Sequence, residues 1–132
     1  ADFEAAMTAY RQARSQPVQP DFPAVEMTHT AATAARLREA LERQLADGIA
    51  FRYPSGQRFA ADYRRVEVAG AAAELSGCTR YRAVEFESSS GVDVAVHDSV
   101  TAFTAQLALD ADGRWRLDAY RTHPAAPGEP AC

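Results

Sequence analysis

Hydrolytic, metal and phosphate chemistry each demand particular side chains at particular spacings, and this chain offers few of them. His97-Asp98-Ser99 spells the residue types of a hydrolase triad. Three consecutive residues cannot converge on one reaction centre, however, because triads are assembled in space from distant segments. The other histidines are His29, which precedes a long helical pattern and reads as a surface or capping residue, and His123, in a proline-rich tail. No pair stands at the i, i+4 spacing of a helical metal site, so no metal is expected. Asp110-Ala111-Asp112-Gly113 opens like a calcium loop, but Asp118 is the next acid and the closing glutamate is missing, which leaves a hairpin turn. Ser88-Ser89-Ser90-Gly91 lacks the flanking glycines and the lysine of a phosphate loop, and no cofactor is expected.

The two cysteines are more informative. Cys78 sits mid-chain and Cys132 follows Pro124, Pro127 and Pro130 at a polar C-terminus, where a core thiol has no place. A Cys78–Cys132 disulfide explains both, tethers the tail over residues 124–132, and implies an oxidising, extracytoplasmic setting. Closing a loop of that length contributes about 4 kcal/mol in the chain-entropy description. The rival arrangements are an intermolecular bridge and two free thiols.

With 132 residues, 47% hydrophobic and 24% charged, the chain suits one soluble domain over 1–132. A chain this long buries roughly two thirds of its unfolded surface. No run of about eighteen apolar residues is present to cross a bilayer as a helix. All 14 basic residues are arginine against 18 acids, a net charge of -4, which argues against a nucleic-acid partner. The opening Ala1-Asp2-Phe3 lacks the basic and apolar regions of a signal peptide, which decides little, since an export signal is removed from a mature chain. A membrane link is expected only through a lipid anchor upstream of Ala1.

Helices come first. Phe3, Met7 and Tyr10 repeat at spacings of four and three, which predicts a helix from Phe3 to Arg14 with Asp2 as N-cap. Pro17, Pro20 and Pro23 impose a connector, followed by a helical turn through Val25 and Met27. Leu37, Leu41 and Leu45 give the clearest helix, about Thr30 to Asp47, stopped by Gly48. After Gly48 the period falls to two. Strands are expected at Ile49–Tyr53, about Tyr63–Ala69, about Ala72–Arg82 and Thr101–Leu109, with a last one through Trp115 and Leu117. Parity places Cys78, Arg80, Arg82, Arg114 and Arg116 outward with Glu67, Glu74 and Asp118, as a mixed-charge, solvated face. An alternative use of those arginines is docking on a protein or an anionic wall polymer. Glu85–Val100 is ambiguous and holds a polar loop. The order makes the fold α+β, with N-terminal helices packed on a curved antiparallel sheet.

At this point the sequence resembles a family. "AAMTAYRQA", "PDFPAVEMTHTAATAARLREAL", "DGIAFRY", "RRVEVAGAAAELSGC", "SSSGVDV", "LALDADGRWRLDAY" and the final Cys132 resemble, in order and spacing, small exported proteins and lipoproteins of high-GC Gram-positive bacteria. These have the nuclear transport factor 2-like (SnoaL-like, cystatin-like) cone fold. An acid that such proteins often carry soon after the central cysteine is replaced here by Arg80 or Arg82, so its role does not transfer.

The resemblance implies an apolar pocket between helices and concave sheet, with Tyr10, Leu41, Phe51, Tyr81, Phe103 and Trp115 as candidates for its wall. The leading expectation is a non-catalytic, extracytoplasmic domain that binds a small apolar ligand or an envelope partner. One alternative is an isomerase, cyclase or dehydratase with Tyr10 as oxyanion donor and Asp62 or Glu85 as base, because enzymes of this fold resembling ketosteroid isomerase set a tyrosine opposite cavity acids. The bland reading of Tyr10 is a ring packed in the core with its hydroxyl at the rim. Another alternative is an accessory domain of a secretion or wall-synthesis assembly.

Overall fold

The computed structural model describes residues 1–123 and Cys132; the proline-rich stretch 124–131 lies outside the described residues. Three helices, α1 (Asp2–Arg14), α2 (Pro23–Thr28) and α3 (Ala31–Ala46), precede five strands. These are β1 (Ile49–Arg52), β2 (Asp62–Ala69), β3 (Ala72–Glu87), β4 (Asp93–Leu109) and β5 (Trp115–His123). All pairings are antiparallel, in the order β1-β3-β4-β5, with β2 sharing β3 with β1. β2 pairs along Ala72–Cys78 and β1 along Val84–Glu87. The helices pack against β5 and β1, which makes the α+β architecture the one expected.

An aromatic cluster seats α1 on the sheet. Phe3 lies edge-on to Phe59 at 5.3 Å and stacks on Phe103 at 5.5 Å and on Tyr120 at 6.2 Å between ring centroids. Ala6, Ala105, Leu107 and Leu117 complete this core. A second core forms where Ala9 and Ala13 of α1 meet Val25, Leu41, Ala50 and Phe86. Small residues on α1 let α2 and α3 approach it closely. Gly77 serves the same end in the sheet, since a Cβ there would stand 2.3 Å from the Asp62 carbonyl oxygen.

Several expectations need correction. Asp2 is the first helical residue rather than the N-cap, and its carboxylate accepts the Trp115 N–H at 3.0 Å, tying α1 to the β4–β5 hairpin. Leu45 ends the α3 stripe in solvent, 54% exposed. β3 and β4 run further than the polar composition of Glu85–Val100 suggests. Their extensions pair residue by residue, Arg82 with Asp98 and Val84 with Val96, around a short turn in which Gly91 supplies a positive φ of 74°.

In β5, the register slips between Gln106 and Leu107, so that Leu107 pairs with Leu117 and Gln106 with Ala119. Asp118 is therefore the extra residue of a β-bulge, and the inward parity changes from Trp115 and Leu117 to Tyr120 and Thr122. The bulge is also where the helices attach. The Thr30 N–H donates to the Leu117 carbonyl at 3.0 Å, the Thr30 hydroxyl to Asp118 Oδ1 at 2.8 Å and the Thr33 hydroxyl to the Asp118 carbonyl at 2.7 Å.

Cys78 is joined to Cys132 across 54 positions, on the sheet face that carries Arg80 and Arg82. The bridge fastens the C-terminal residue to a central strand. Cys132→Ser is expected to lower unfolding stability by about 4 kcal/mol, from the loop-closure entropy restored to the unfolded chain. Urea denaturation without reductant reads this directly; an unchanged midpoint would show that the bridge constrains nothing.

Candidate functional site

Between α1, the start of α3 and the concave sheet face lies a cavity of about 710 Å³. α1 supplies Met7, Tyr10, Arg11 and Arg14, the α2–α3 junction His29 and Thr33, and α3 Arg36 and Leu37. The sheet side brings Tyr53, Thr79, Tyr81, Ser99, Thr101 and Tyr120. The α1 residues belong to one stripe, since positions 3, 7, 10, 11 and 14 share a helical face. That stripe begins in the aromatic core and ends over the cavity.

The electrostatics of this space are one-sided. Arg11, Arg14, Arg36 and Arg121 line it, against Asp118 as the single carboxylate among the described residues, which already accepts from Thr30. Among the described residues none of these four arginines forms an ion pair. Arg14 instead lies over Phe51, its Cζ 3.5 Å from the ring centroid, and 5.2 Å from that of Tyr10. Arg11 sits over Tyr53 at 5.3 Å and Phe59 at 5.2 Å. Aromatic faces thus take the place of carboxylates in holding the guanidinium groups. Two buried polar atoms of residues in this wall, Arg14 Nε and the Tyr53 hydroxyl, have no hydrogen-bond partner among the described residues. Burial pushes the Tyr53 hydroxyl up to about 12, and raises Tyr120 as well, so both are neutral donors near neutral pH.

Of the residues singled out in the sequence, Tyr10 and Tyr81 line the cavity. Leu41 is fully buried in the second core, and Phe103 is at the heart of the aromatic one. Phe51 is packed with Tyr53 and Ala83 beneath Arg14, and Trp115 flanks the aromatic core at the hairpin. These four fill the contacts between layers instead of the space they enclose. Arg11, Arg14, Tyr53 and Tyr120 escaped the sequence reading. A signal existed for the arginines, because they share the helical face of Met7 and Tyr10, whereas Tyr120 turns inward only through the bulge.

The acids proposed as bases stand elsewhere. Asp62 is exposed and pairs with Cys78, and Glu85 accepts from His97 Nε2 at 2.7 Å. His97, Asp98 and Ser99 do not converge, as expected: Asp98 meets Arg80 at 3.1 Å and Arg82 at 3.5 Å on the outer face, while His97 and Ser99 share the opposite face, His97 on Glu85 and Ser99 at the cavity. The Asp110–Gly113 segment is a turn closed by Arg116, 2.8 Å from both Asp110 and Asp112. The Arg116 guanidinium holds the Asp112 carboxyl well below the usual range, at about 2. The outer arginines Arg80, Arg82 and Arg116 are thus matched by acids, unlike those of the cavity.

No protein-family model matches the sequence, and no curated protein matches it either. Among solved structures the chain is similar to the intermembrane space region of chloroplast protein ARC6. The TM-score is 0.74 at 8% identity, over 94% of this chain and 92% of that one. It is also similar to a ketosteroid isomerase-like protein from Erwinia carotovora atroseptica, with a TM-score of 0.50 at 21% identity over 90% of each chain. At such identities the likeness is one of fold. Helices followed by a curved antiparallel sheet form the nuclear transport factor 2-like cone, as expected. Fold by itself assigns no residue a role.

His29 corrects another expectation. It caps the C-terminus of α2, yet it is buried, 2% exposed, and bridges to Leu117. Its Nδ1 lies 3.0 Å from the Val25 carbonyl oxygen, which can only accept, so Nδ1 carries the proton of the neutral ring. Burial lowers its pKa from 6.5, partly offset by that hydrogen bond. The unfolded chain therefore binds a proton more readily below pH 6.5 than the folded one, so the stability present above 6.5 declines as pH falls through this window. His29→Gln is expected to flatten the change in urea midpoint between about pH 7.5 and 5.5, where carboxylates contribute little. An identical slope in the variant would contradict this assignment.

Proposed function

We propose that this chain is a single extracytoplasmic domain that holds a small, largely apolar ligand in its cone without transforming it. One observation carries the reading: the cavity of about 710 Å³ is walled by tyrosines, aliphatic side chains and unpaired arginines. This size suits a small organic molecule. Its one carboxylate, Asp118, is held by Thr30 at the bulge. Proton abstraction beside a Tyr10 donor needs a base in the same space, and Asp62 and Glu85 are outside it. The Cys78–Cys132 bridge supports an oxidising location, in keeping with an exported envelope protein.

A second reading, docking of an envelope partner, draws on β4. Among the described residues Asp93–Thr101 pair on one side only, with β3, and Val94, Val96 and Val100 are exposed there at 58%, 71% and 51%. Apolar side chains beside an unpaired strand edge are what strand addition uses.

Native mass spectrometry of protein isolated from its own envelope separates the two. The expected result is a mass excess at one ligand per chain that disappears on denaturation, leaving a chain two hydrogens lighter than the dithiol. A second polypeptide at fixed stoichiometry, with an empty cone, would favour the partner reading. Empty monomer that takes up nothing from an envelope extract would overturn the ligand reading.

A further inference from the structure

Buried donors without acceptors are uncommon, because each costs about 1–3 kcal/mol when left unsatisfied. Here two of them among the described residues, Arg14 Nε and the Tyr53 hydroxyl, belong to residues that wall one cavity, and Tyr53 is 93% buried by its 7% residual exposure. Arg14 presents the flat of its guanidinium to Phe51, which leaves its in-plane N–H groups to face elsewhere. Arg11, beside Tyr53, has among the described residues a single long hydrogen bond, 3.5 Å to the Arg58 carbonyl. Arg36 and Arg121 add further positive charge to the lining, and Arg36 donates to Thr33 at 3.0 Å. This positive lining is local, since the chain as a whole carries a net charge of -4. A wholly apolar ligand would leave the donors unmet and bury unpaired cations against hydrocarbon, a costly arrangement.

We propose that the ligand is an aromatic anion, whose single carboxylate, sulfonate or phosphate-type group is received by Arg11, Arg14 and the Tyr53 hydroxyl while its flat apolar body lies among Tyr10, Tyr81 and Tyr120. The inference rests on the cavity being the binding site and adds the chemical class of what enters it. Arginine's fork of N–H donors matches an oxyanion in a way that a lone ammonium does not. The neutral Tyr53 hydroxyl donates a further bond without adding charge.

Two fluorescent probes that differ by one group test this on the oxidised full chain. 8-Anilinonaphthalene-1-sulfonate carries an anion, and N-phenyl-1-naphthylamine is the same skeleton without it. The sulfonate is expected to bind at one site at least tenfold more tightly than the neutral probe. Arg14→Gln and Arg11→Gln should each weaken it fivefold or more and leave the neutral probe unchanged. Tyr53→Phe keeps the ring packing and removes only the hydroxyl, so its loss of sulfonate affinity survives any folding defect in the arginine variants. If both probes bind equally, the cavity stands as a site and the anion subsite falls. If the sulfonate binds but none of the three variants alters it, the anion is seated elsewhere and the inference is overturned. If neither probe binds, the inference and the cavity reading fail together.

Discussion

The seat of Phe3 governs the rest of the molecule. Its ring touches Phe59 and Phe103 at 5.3 and 5.5 Å and joins β4, β5 and the β1–β2 loop to the first turn of α1. A helix anchored at one end by an interlocked aromatic group has little freedom to rotate about its axis. Rotation is what matters, because Met7, Tyr10, Arg11 and Arg14 follow Phe3 on the same face. Asp2 adds a second tie, accepting from Trp115 N–H at 3.0 Å. The orientation of the two arginines over the cavity therefore follows from packing about two and three turns away.

The second constraint is the bulge at Asp118. One extra residue in β5 turns Tyr120 into the cone and frees the Leu117 and Asp118 carbonyls for Thr30 and Thr33. The same irregularity that shapes the cavity thus attaches the α2–α3 corner to the sheet. It also encloses His29 beneath α3, where the ring is kept neutral by burial. Elsewhere charges are arranged differently. Arg80, Arg82 and Arg116 find Asp98, Asp110 and Asp112 on the solvent side, while the cavity arginines lie on aromatic rings.

Much of this was legible in the residue pattern, and the failures have physical causes. The stripe of Phe3, Met7 and Tyr10, the period change after Gly48 and the hairpin around Asp112-Gly113 announce their elements, because burial on one face imposes a period. The Cys78–Cys132 pairing was legible from chemistry, since a thiol in a polar tail has no packing role. The strand through Asp93–Val100 was not, because its polar residues are satisfied across strands, Asp98 by Arg80 and His97 by Glu85, and composition alone cannot show a partner. Parity failed beyond Leu117 for a similar reason, as a bulge leaves no mark in a single sequence. A pocket wall is expected to consist of the most hydrophobic residues, and the sequence alone points to an apolar one. Leu41 and Phe103 instead fill the cores, and longer amphipathic side chains such as Arg11, Arg14 and Tyr53 line the space left over.

The central claim is that the donors of Arg14 and Tyr53 await an anion inside the cone. The most direct measurement is the arginine Nε–H region of a nitrogen-15 NMR spectrum, followed while a naphthalene carboxylate is titrated into the protein. The account predicts that the Arg14 Nε–H resonance moves downfield and saturates at one equivalent, with no such movement on adding the neutral carboxamide. Saturable shifts confined to Val94, Val96 and Val100, with Arg14 unmoved, would contradict it and move the binding site to the free edge of β4.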